Sequence, residues 1–302
     1  MTADEFRALY VRLRDSTRTD DPRGALRHLT PERVVAAAAE VQAGHTVSLA
    51  SPVETWSGPD NPEPAVHRMT GPAAGEVGAD GLHFALDHIA MNVHGDADSH
   101  LDALCHVLYD GELYNGVPVS RVTAQGALSL SVDLVKDGIV GRGVLLDIPR
   151  LRGEPWLEPG DHVTAADLTA AEAAQGVRVG PGDLLLVRVG HRRRREELGA
   201  WNAARARAGL HPTAMGFLAE RQIAVLGSDG NNDTAPSAVS DVAFPVHVLA
   251  MHAMGVHLMD YLQFEQLAPV CASAGRWSFL CVVAPLRLPA ATGSPVNPIA
   301  VL

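Results

Sequence analysis

Four continuous apolar stretches limit the folds that this 302-residue chain can adopt. They lie at residues 143–148, 183–189, 222–226 and 277–284. Apolar runs of this length are typical of β-strands that are covered on both faces. Helical segments alternate with them at residues 164–175, which begin with the cap residue Thr164 and Asp167 three residues on, and at residues 212–221. The alternation predicts an α/β fold: a mixed, largely buried β-sheet with flanking helices.

The first 45 residues are predicted to form an N-terminal arm and a helix that packs on the main domain. Thr30 fits the cap of this helix, Pro31 its first turn, and an alanine-rich stretch follows. Residues 46–302 are predicted to be a single domain, because they contain no internal repeat and no clean linker. Within them, residues 51–81 are rich in Pro and Gly and predict a long surface loop, and residues 82–93 predict a strand.

Charge and cysteine content argue against several classes of partner. A formal net charge of -11 disfavours nucleic acid and anionic membranes, which bind clustered Lys and Arg. The chain has no run of about twenty apolar residues, so no membrane span is expected. Cys105, Cys271 and Cys281 are too few and too scattered for a disulfide framework. Reduced cysteines and the absence of a visible secretory signal predict a cytoplasmic protein.

The densest metal-ligand chemistry lies at residues 94–106. In an extended segment, alternate side chains share one face. Imidazoles and carboxylates occupy such alternate positions here: His94, Asp96, Asp98, His100 and Asp102. If a helix begins near Asp102, His106 lies on the same face of its first turn. A strand-to-helix corner of this kind would bring nitrogens and carboxylates to one point, which predicts a site for a divalent cation such as zinc.

Other interpretations of the charged segments are simpler. Residues 94–106 could form an exposed acidic loop with incidental histidines, although such groups are expensive to bury without a cation. A calcium loop of the EF-hand kind needs Gly and Glu where this sequence has Leu101 and Val107. Residues 192–195 are four consecutive arginines, and they are predicted to be only a solvent-exposed helix start.

A second group of polar residues lies far downstream in an otherwise apolar region. It contains His247, His252, His257 and Asp260. Taken alone, these side chains are either hydrogen-bonded core groups or additional metal ligands, and both interpretations stay open.

Residues 99–106, Ser-His-Leu-Asp-Ala-Leu-Cys-His, resemble the T-H-x-D-x-x-x-H core of the metal-dependent cyclase family, which includes bacterial kynurenine formamidase and isatin hydrolase. Other segments resemble family landmarks along nearly the whole chain: residues 20–26, 29–32, 182–187, 226–229, 245–247, 284–286 and 293–300. The resemblance implies a cyclase-like α/β domain. Because family members are usually oligomers, it also implies a homo-oligomer, either a dimer or a tetramer.

The resemblance implies a site for one or two zinc or manganese ions. His100 and Asp102 match metal ligands of the family, and His106 matches its proton-transfer residue. Downstream, His247 and Asp260 match further ligands, often of a second metal, although the family's acid is usually Glu.

This chain departs from the family pattern at the position of the first ligand. It is a His four residues before His100, where this chain has Asp96. His94 could replace it if the loop holds a two-residue insertion, and Asp96 or Asp98 could do so as well. The predicted metal ligands are therefore His94, Asp98, His100, Asp102, His247 and Asp260.

These features predict a metal-dependent amidohydrolase that opens a small amide, lactam or related acyl substrate. The metal would activate a water, and His106 would be the general base. Because the first-ligand His is missing, two alternatives stay open. One is a non-catalytic protein that binds small molecules, and the other is a lyase or cyclase with an altered metal site.

Overall fold

The computed structural model describes residues 1–71 and 81–302. Its α-helices are α1 (Ala3–Thr17), α2 (Pro31–Ala38), α3 (Ile148–Arg152), α4 (Ala165–Gln175), α5 (His191–Leu198), α6 (Met215–Arg221), α7 (Pro245–His247) and α8 (Leu267–Ala274). A π-helix, Val248–Ala253, continues α7. Short 3-10 helices lie at Gly24–His28, Tyr114–Gly116, Val119–Arg121, Val132–Val135 and Pro212–Ala214.

The strands are β1 (Thr46–Ser48), β2 (Val66–Met69), β3 (Asp87–Ala90), β4 (His100–Asp102), β5 (Glu112–Leu113), β6 (Val117–Pro118), β7 (Val122–Thr123), β8 (Gly126–Ala127), β9 (Ile139–Asp147), β10 (His162–Val163), β11 (Leu184–Arg188), β12 (Gly209–Leu210), β13 (Val225–Ser228), β14 (His257–Asp260), β15 (Ser278–Val283), β16 (Gly293–Pro295) and β17 (Ile299–Val301). Within the described residues, nine of them form the central sheet, in the order β1-β17-β15-β9-β11-β13-β14-β4-β16. Strands β9, β11, β13 and β14 are parallel neighbours, and antiparallel strands flank them on both sides.

The predicted α/β fold with a mixed, largely buried sheet is confirmed. The four apolar stretches contribute β9, β11, β13 and β15, and every residue of β11 is buried. Strand β13 begins at Val225, three residues later than predicted. The cap of α4 is also confirmed, because the side chain of Thr164 accepts from the Asp167 amide and Asp167 accepts from the Thr164 amide.

The N-terminal helix packs on the rest of the chain. Phe6, Leu9 and Leu13 of α1 are buried in the same hydrophobic core as the sheet residues. Helix α2 begins at Pro31 as predicted, although Thr30 makes no side-chain cap hydrogen bond. The division into an arm, residues 1–45, and a single domain, residues 46–302, stays a prediction.

Residues 51–93 differ from the sequence prediction. Strand β2 lies inside the predicted loop and pairs with β3 in an antiparallel hairpin. Residues 72–80 of that loop lie outside the described residues. The predicted strand 82–93 is shortened to β3, which pairs with β2 instead of entering the central sheet. All residues of both hairpin strands are exposed. Their sequences therefore show neither a continuous apolar run nor an alternation of apolar and polar residues.

The segment before β4 is bent, so the condition of an extended segment from residue 94 to residue 102 is not met. Only His100–Asp102 is a strand. Gly, Asp and Ser between His94 and His100 favour bends, because Asp and Ser side chains compete for backbone hydrogen bonds. A turn, and not a helix, follows Asp102, and the amide of His106 donates to the carbonyl of Ala103 at 2.8 Å.

The arginine run begins α5 but is not simply solvated. Arg192 is 5% exposed, and its guanidinium donates to the carbonyl oxygen of Ala97 at 2.6 Å. It also bonds to the carbonyl of Tyr261, so it joins the bend before β4 to the segment after β14. Arg195 pairs with the buried Asp60. The prediction of a merely exposed helix start is therefore wrong for these two arginines.

No helix in the described ranges combines the length and the apolar character that crossing a membrane requires.

Close packing between β9 and β15 leads to a stability prediction. A Cβ added at Gly143 would overlap the ring of buried Phe279. We expect Gly143→Ala to lower the free energy of unfolding by about 1–3 kcal/mol, the usual cost of overpacking. Gly216→Ala in α6 is the matched control, since its Cβ would meet nothing within 4 Å and Ala favours the helix. Equal denaturation midpoints of the two variants would contradict this packing argument.

Candidate metal centre

The carboxylate of Asp102 lies at the centre of the candidate site. Asp102 is 0% exposed, and its Oδ2 atom is buried without a hydrogen-bond partner among the described residues. Burial alone would raise the pKa of this carboxyl, but the neighbouring imidazoles of His247 and His94 hold the pKa well below its usual range. The group is therefore an anion in the protein interior, and it needs positive charge close to it.

His100 lies two residues before Asp102 in β4, on the same face of the strand. Its Nδ1 atom is 2.8 Å from the carbonyl oxygen of Asp98, to which it donates. This bond leaves the Nε2 lone pair free, and Nε2 lies 3.6 Å from Oδ1 of Asp102. The backbone thus selects the tautomer of His100 that a metal ligand needs.

Asp260 reaches the site from the neighbouring strand. In the β14–β4 ladder it is paired with His100, and opposed residues in an antiparallel pair share a face. The Nδ2 groups of Asn231 and Asn232 both donate to its carboxylate. Two amide donors from the loop after β13 therefore hold Asp260 in one orientation.

His247 enters from the N-terminal turn of α7, and Asp233 positions it. The Asp233 carboxylate accepts from the amides of Val246 and His247 at 2.7 and 3.0 Å, and from His247 Nδ1 at 2.6 Å. Nε2 of His247 then lies 3.6 Å from Asp102 Oδ2 and 3.5 Å from Asp260 Oδ2. Burial lowers the pKa of His247, but the carboxylates of Asp102, Asp233 and Asp260 outweigh it and raise this pKa well above its usual value.

His94 and His106 form the outer side of the cluster. Their rings are stacked, with centroids 3.8 Å apart and planes 10° apart. Nδ1 of His94 is 2.8 Å from Asp102 Oδ1, and its Nε2 is 2.9 Å from the hydroxyl of Thr292. Burial lowers the pKa of His106 to about 4, so this imidazole is neutral. Its ring can accept a proton.

Gly293 leaves the space that the His94 ring occupies. A Cβ at this position would lie 2.7 Å from Cε1 of His94 and 2.6 Å from the carbonyl of Leu101. Strand β16, which begins at Gly293, pairs with β4. The C-terminal part of the chain thus completes the site that the motif at residues 99–106 begins.

The donor set fits a divalent cation. Donor atoms fall into two groups that share Asp102: His94, Asp102 and His106, and His100, Asp102 and Asp260, each within 4.8 Å. Three donor separations across the cluster are 3.5–3.6 Å. Ligands about 2.1 Å from a tetrahedral zinc ion lie roughly 3.4 Å apart, so these separations suit such an ion. A cation would also satisfy the unpaired Oδ2 atom of Asp102.

Asp98 is not brought into this cluster, contrary to the predicted ligand set. The bend places its buried carboxylate on the amide of Glu54, which donates to it at 2.8 Å. Asp96 lies beside the site, and its carboxylate accepts from the hydroxyl of Tyr261 at 2.6 Å. Of the three candidates for the first ligand, the structure brings His94 to Asp102.

Sequence reasoning missed the residues that orient the ligands, namely Asn231, Asn232, Asp233 and Thr292. Three of them belong to a polar run that directly follows the buried strand β13. Polar groups at the carboxyl end of a buried parallel strand favour a binding site, so this run was a usable signal. Thr292 had no such signal, because only the β16–β4 pairing brings it near.

A cavity of about 540 Å³ opens onto the cluster. Its apolar wall consists of Val107, Leu108, Tyr109, Val242, Ala243, Phe244 and Val248. A space of this size suits a small organic substrate.

Comparisons with known proteins match this chain to one family. The family model "Putative cyclase" matches residues 23–232. A crystal structure described as a novel cyclase is 35% identical, covers 94% of this chain and 95% of its own, and superposes with a TM-score of 0.83. A search of curated proteins found no match.

More distant structures share the fold. Isatin hydrolase A from Labrenzia aggregata, bound to benzyl benzoate, is 22% identical over 89% of this chain and 97% of that one, with a TM-score of 0.60. A "predicted metal-dependent hydrolase" from Bacillus stearothermophilus is 18% identical over 85% of this chain and 97% of that one, with a TM-score of 0.52.

The orientation of His247 by Asp233 leads to a prediction on metal affinity. We expect Asp233→Asn to weaken divalent-metal binding about 10- to 100-fold, the usual effect of removing a carboxylate that orients a histidine ligand. Asp98→Asn, a buried acid outside the cluster, should leave the affinity unchanged. Competition with a chelating dye would measure both. Equal losses in the two variants would contradict the separate roles of these aspartates.

Proposed function

The chain belongs to the cyclase family, as residues 99–106 predict, and on this basis we propose that it is a metal-dependent hydrolase that opens a small amide, lactam or related acyl substrate. The main support is the convergence of imidazoles and carboxylates around the buried, unpaired oxygen of Asp102. Distant structures with the same fold include an isatin hydrolase, which makes hydrolysis the favoured chemistry.

We propose zinc or manganese, in one or two ions, as the cation. His100, Asp102, His247 and Asp260 would hold it, with His94 in place of the family's first histidine. Imidazole and carboxylate ligands suit both metals. His247 and Asp260 match family ligands that often bind a second metal, which is the reason for allowing two ions.

A bound divalent cation supplies electrostatic activation, since it polarises a substrate carbonyl and lowers the pKa of a water from 15.7 towards about 7. His106 would take a proton from the attacking water on a ring nitrogen and return it to the leaving nitrogen. The C–N bond breaks, a C–O bond forms, and the products are a carboxylic acid and an amine. The apolar wall beside His106 would hold the rest of the substrate away from water.

One observation favours a second candidate, a small-molecule binding protein without turnover. Both ring nitrogens of His94 are engaged, one by Asp102 and the other by Thr292. A histidine in this state does not ligate a metal unless one of these bonds breaks. The binding protein would show metal-independent ligand binding and no hydrolysis.

The proposed roles lead to a prediction for three variants. His100→Ala and Asp102→Ala should lose the metal of the purified protein, because each removes a ligand. His106→Ala should retain it and lose about 10²- to 10⁴-fold in turnover, the usual contribution of a general base. Elemental analysis and steady-state kinetics measure the two effects. Stoichiometric metal in both ligand variants would refute the assignment.

The reaction type is tested with isotopically labelled water. A panel of N-formyl amines, isatin-like lactams and lactones is incubated with the metal-loaded protein in ¹⁸O water. Hydrolysis places solvent oxygen in the acid product, which mass spectrometry detects. A product without the label would indicate a lyase or cyclase, and no product from any substrate would favour the binding protein.

A further inference from the structure

The cavity beside the candidate metal centre carries two acidic side chains that do not belong to the proposed ligands. Apart from the candidate ligands, Asp96 and Asp241 contribute carboxylates to its wall. Among the described residues, Lys and Arg are absent from this wall. Residues 72–80 contain neither of them, so the nine undescribed residues add no cation to the chain's own lining.

Two buried arginines, Arg207 and Arg192, are bonded to backbone carbonyls. Arg207 lies over the ring of Phe244, with its guanidinium carbon 5.3 Å from the centroid, but it is 2% exposed. Its guanidinium donates to the carbonyls of Asp233 and Ala203 at 2.9 and 3.0 Å. The guanidinium of Arg192 donates to the carbonyls of Ala97 and Tyr261. Neither arginine is available to a substrate in the cavity.

Asp241 is the acidic residue that is open to a ligand. Asp96 already accepts from Tyr261, whereas Asp241 is exposed and has no hydrogen bond or ion pair with any described side chain. Its backbone is left-handed, with φ at 66°, a conformation that Asp and Asn adopt more readily than most residues. It is followed directly by Val242 and, three residues on, by Phe244, both of the apolar wall.

An open carboxylate beside an apolar wall favours a ligand that carries positive charge. An apolar body would pack on the exposed ring of Phe244 and on Leu108, which are 45% and 51% exposed. A cationic group on that body would be attracted to the carboxylate of Asp241, whereas a carboxylate at the same place would be repelled by it.

We propose that the substrate is an amide with an apolar body and a positively charged amino group, and that Asp241 is the residue that selects this charge. The proposal rests on the proposed hydrolase function and adds the substrate class. Hydrolysis of such an amide consumes one water, breaks the C–N bond and forms the C–O bond of the acid. Asp241 takes no part in these bond changes; it binds the charged end.

A matched substrate series tests the selection. The series is formanilide with a para aminomethyl, hydroxymethyl or carboxy group, which differ in charge and little in size. The metal-loaded wild type should hydrolyse them with kcat/KM in the order cationic, neutral, anionic. Asp241→Asn should reduce the ratio of cationic to neutral substrate by up to about fivefold, the effect of one exposed ion pair. Asn retains the shape and tolerates the left-handed backbone.

Asp137→Asn is the control, an exposed acid that lines a separate cavity before β9, four strands from β4. It should leave the ratio unchanged. A preference for the carboxy substrate, or an unchanged ratio in Asp241→Asn, would overturn the proposal.

A binding experiment distinguishes failure of the charge selection from failure of the hydrolase function. If no formanilide is hydrolysed, the proposed function fails, and calorimetry with benzylamine, benzyl alcohol and benzoate still tests the charge selection. Tighter binding of benzylamine, lost in Asp241→Asn and retained in Asp137→Asn, supports the selection. Equal binding of the three compounds, or tighter binding of benzoate, overturns it.

Discussion

The buried carboxylate of Asp102 is the constraint on which the site depends. An ionised carboxylate in a protein interior is costly unless positive charge or hydrogen bonds compensate it. Here His247 and His94 supply part of the compensation, and one oxygen is left without a partner. The strands and loops around Asp102 serve to bring these groups to it from distant parts of the chain. The site therefore exists only where the sheet and these loops are folded together.

The topology explains why the groups meet at this point. Strands β13 and β14 are parallel neighbours, and their carboxyl ends deliver the Asn231–Asp233 run and Asp260 to one edge. Open α/β sheets commonly bind ligands at this edge. Asp233 adds a link to the helices, because it caps the turn that carries His247 and fixes that imidazole at the same time. One side chain thus ties the helix start to the site.

Much of the fold could be predicted from the sequence, because strands buried on both faces leave continuous apolar runs such as residues 183–189. The pairing of His100 with Asp102 could be predicted equally well, because the two residues are only two positions apart and lie in one short strand, β4. The rest depended on long-range contacts. Local alternation suggested that Asp98 faces the other ligands, but bends before β4 turn it towards Glu54. Thr292 reaches His94 only through the pairing of β16 with β4.

Gly293 shows how far a recognition motif can be from a complete site. The ring of His94 and the carbonyl of Leu101 occupy the space that any Cβ at residue 293 would need. A relative could thus retain every histidine and aspartate of residues 94–106 and still lose the arrangement through one methyl group almost two hundred positions later. Such a chain would carry the whole motif and lack the site, so the motif defines this site only together with Gly293.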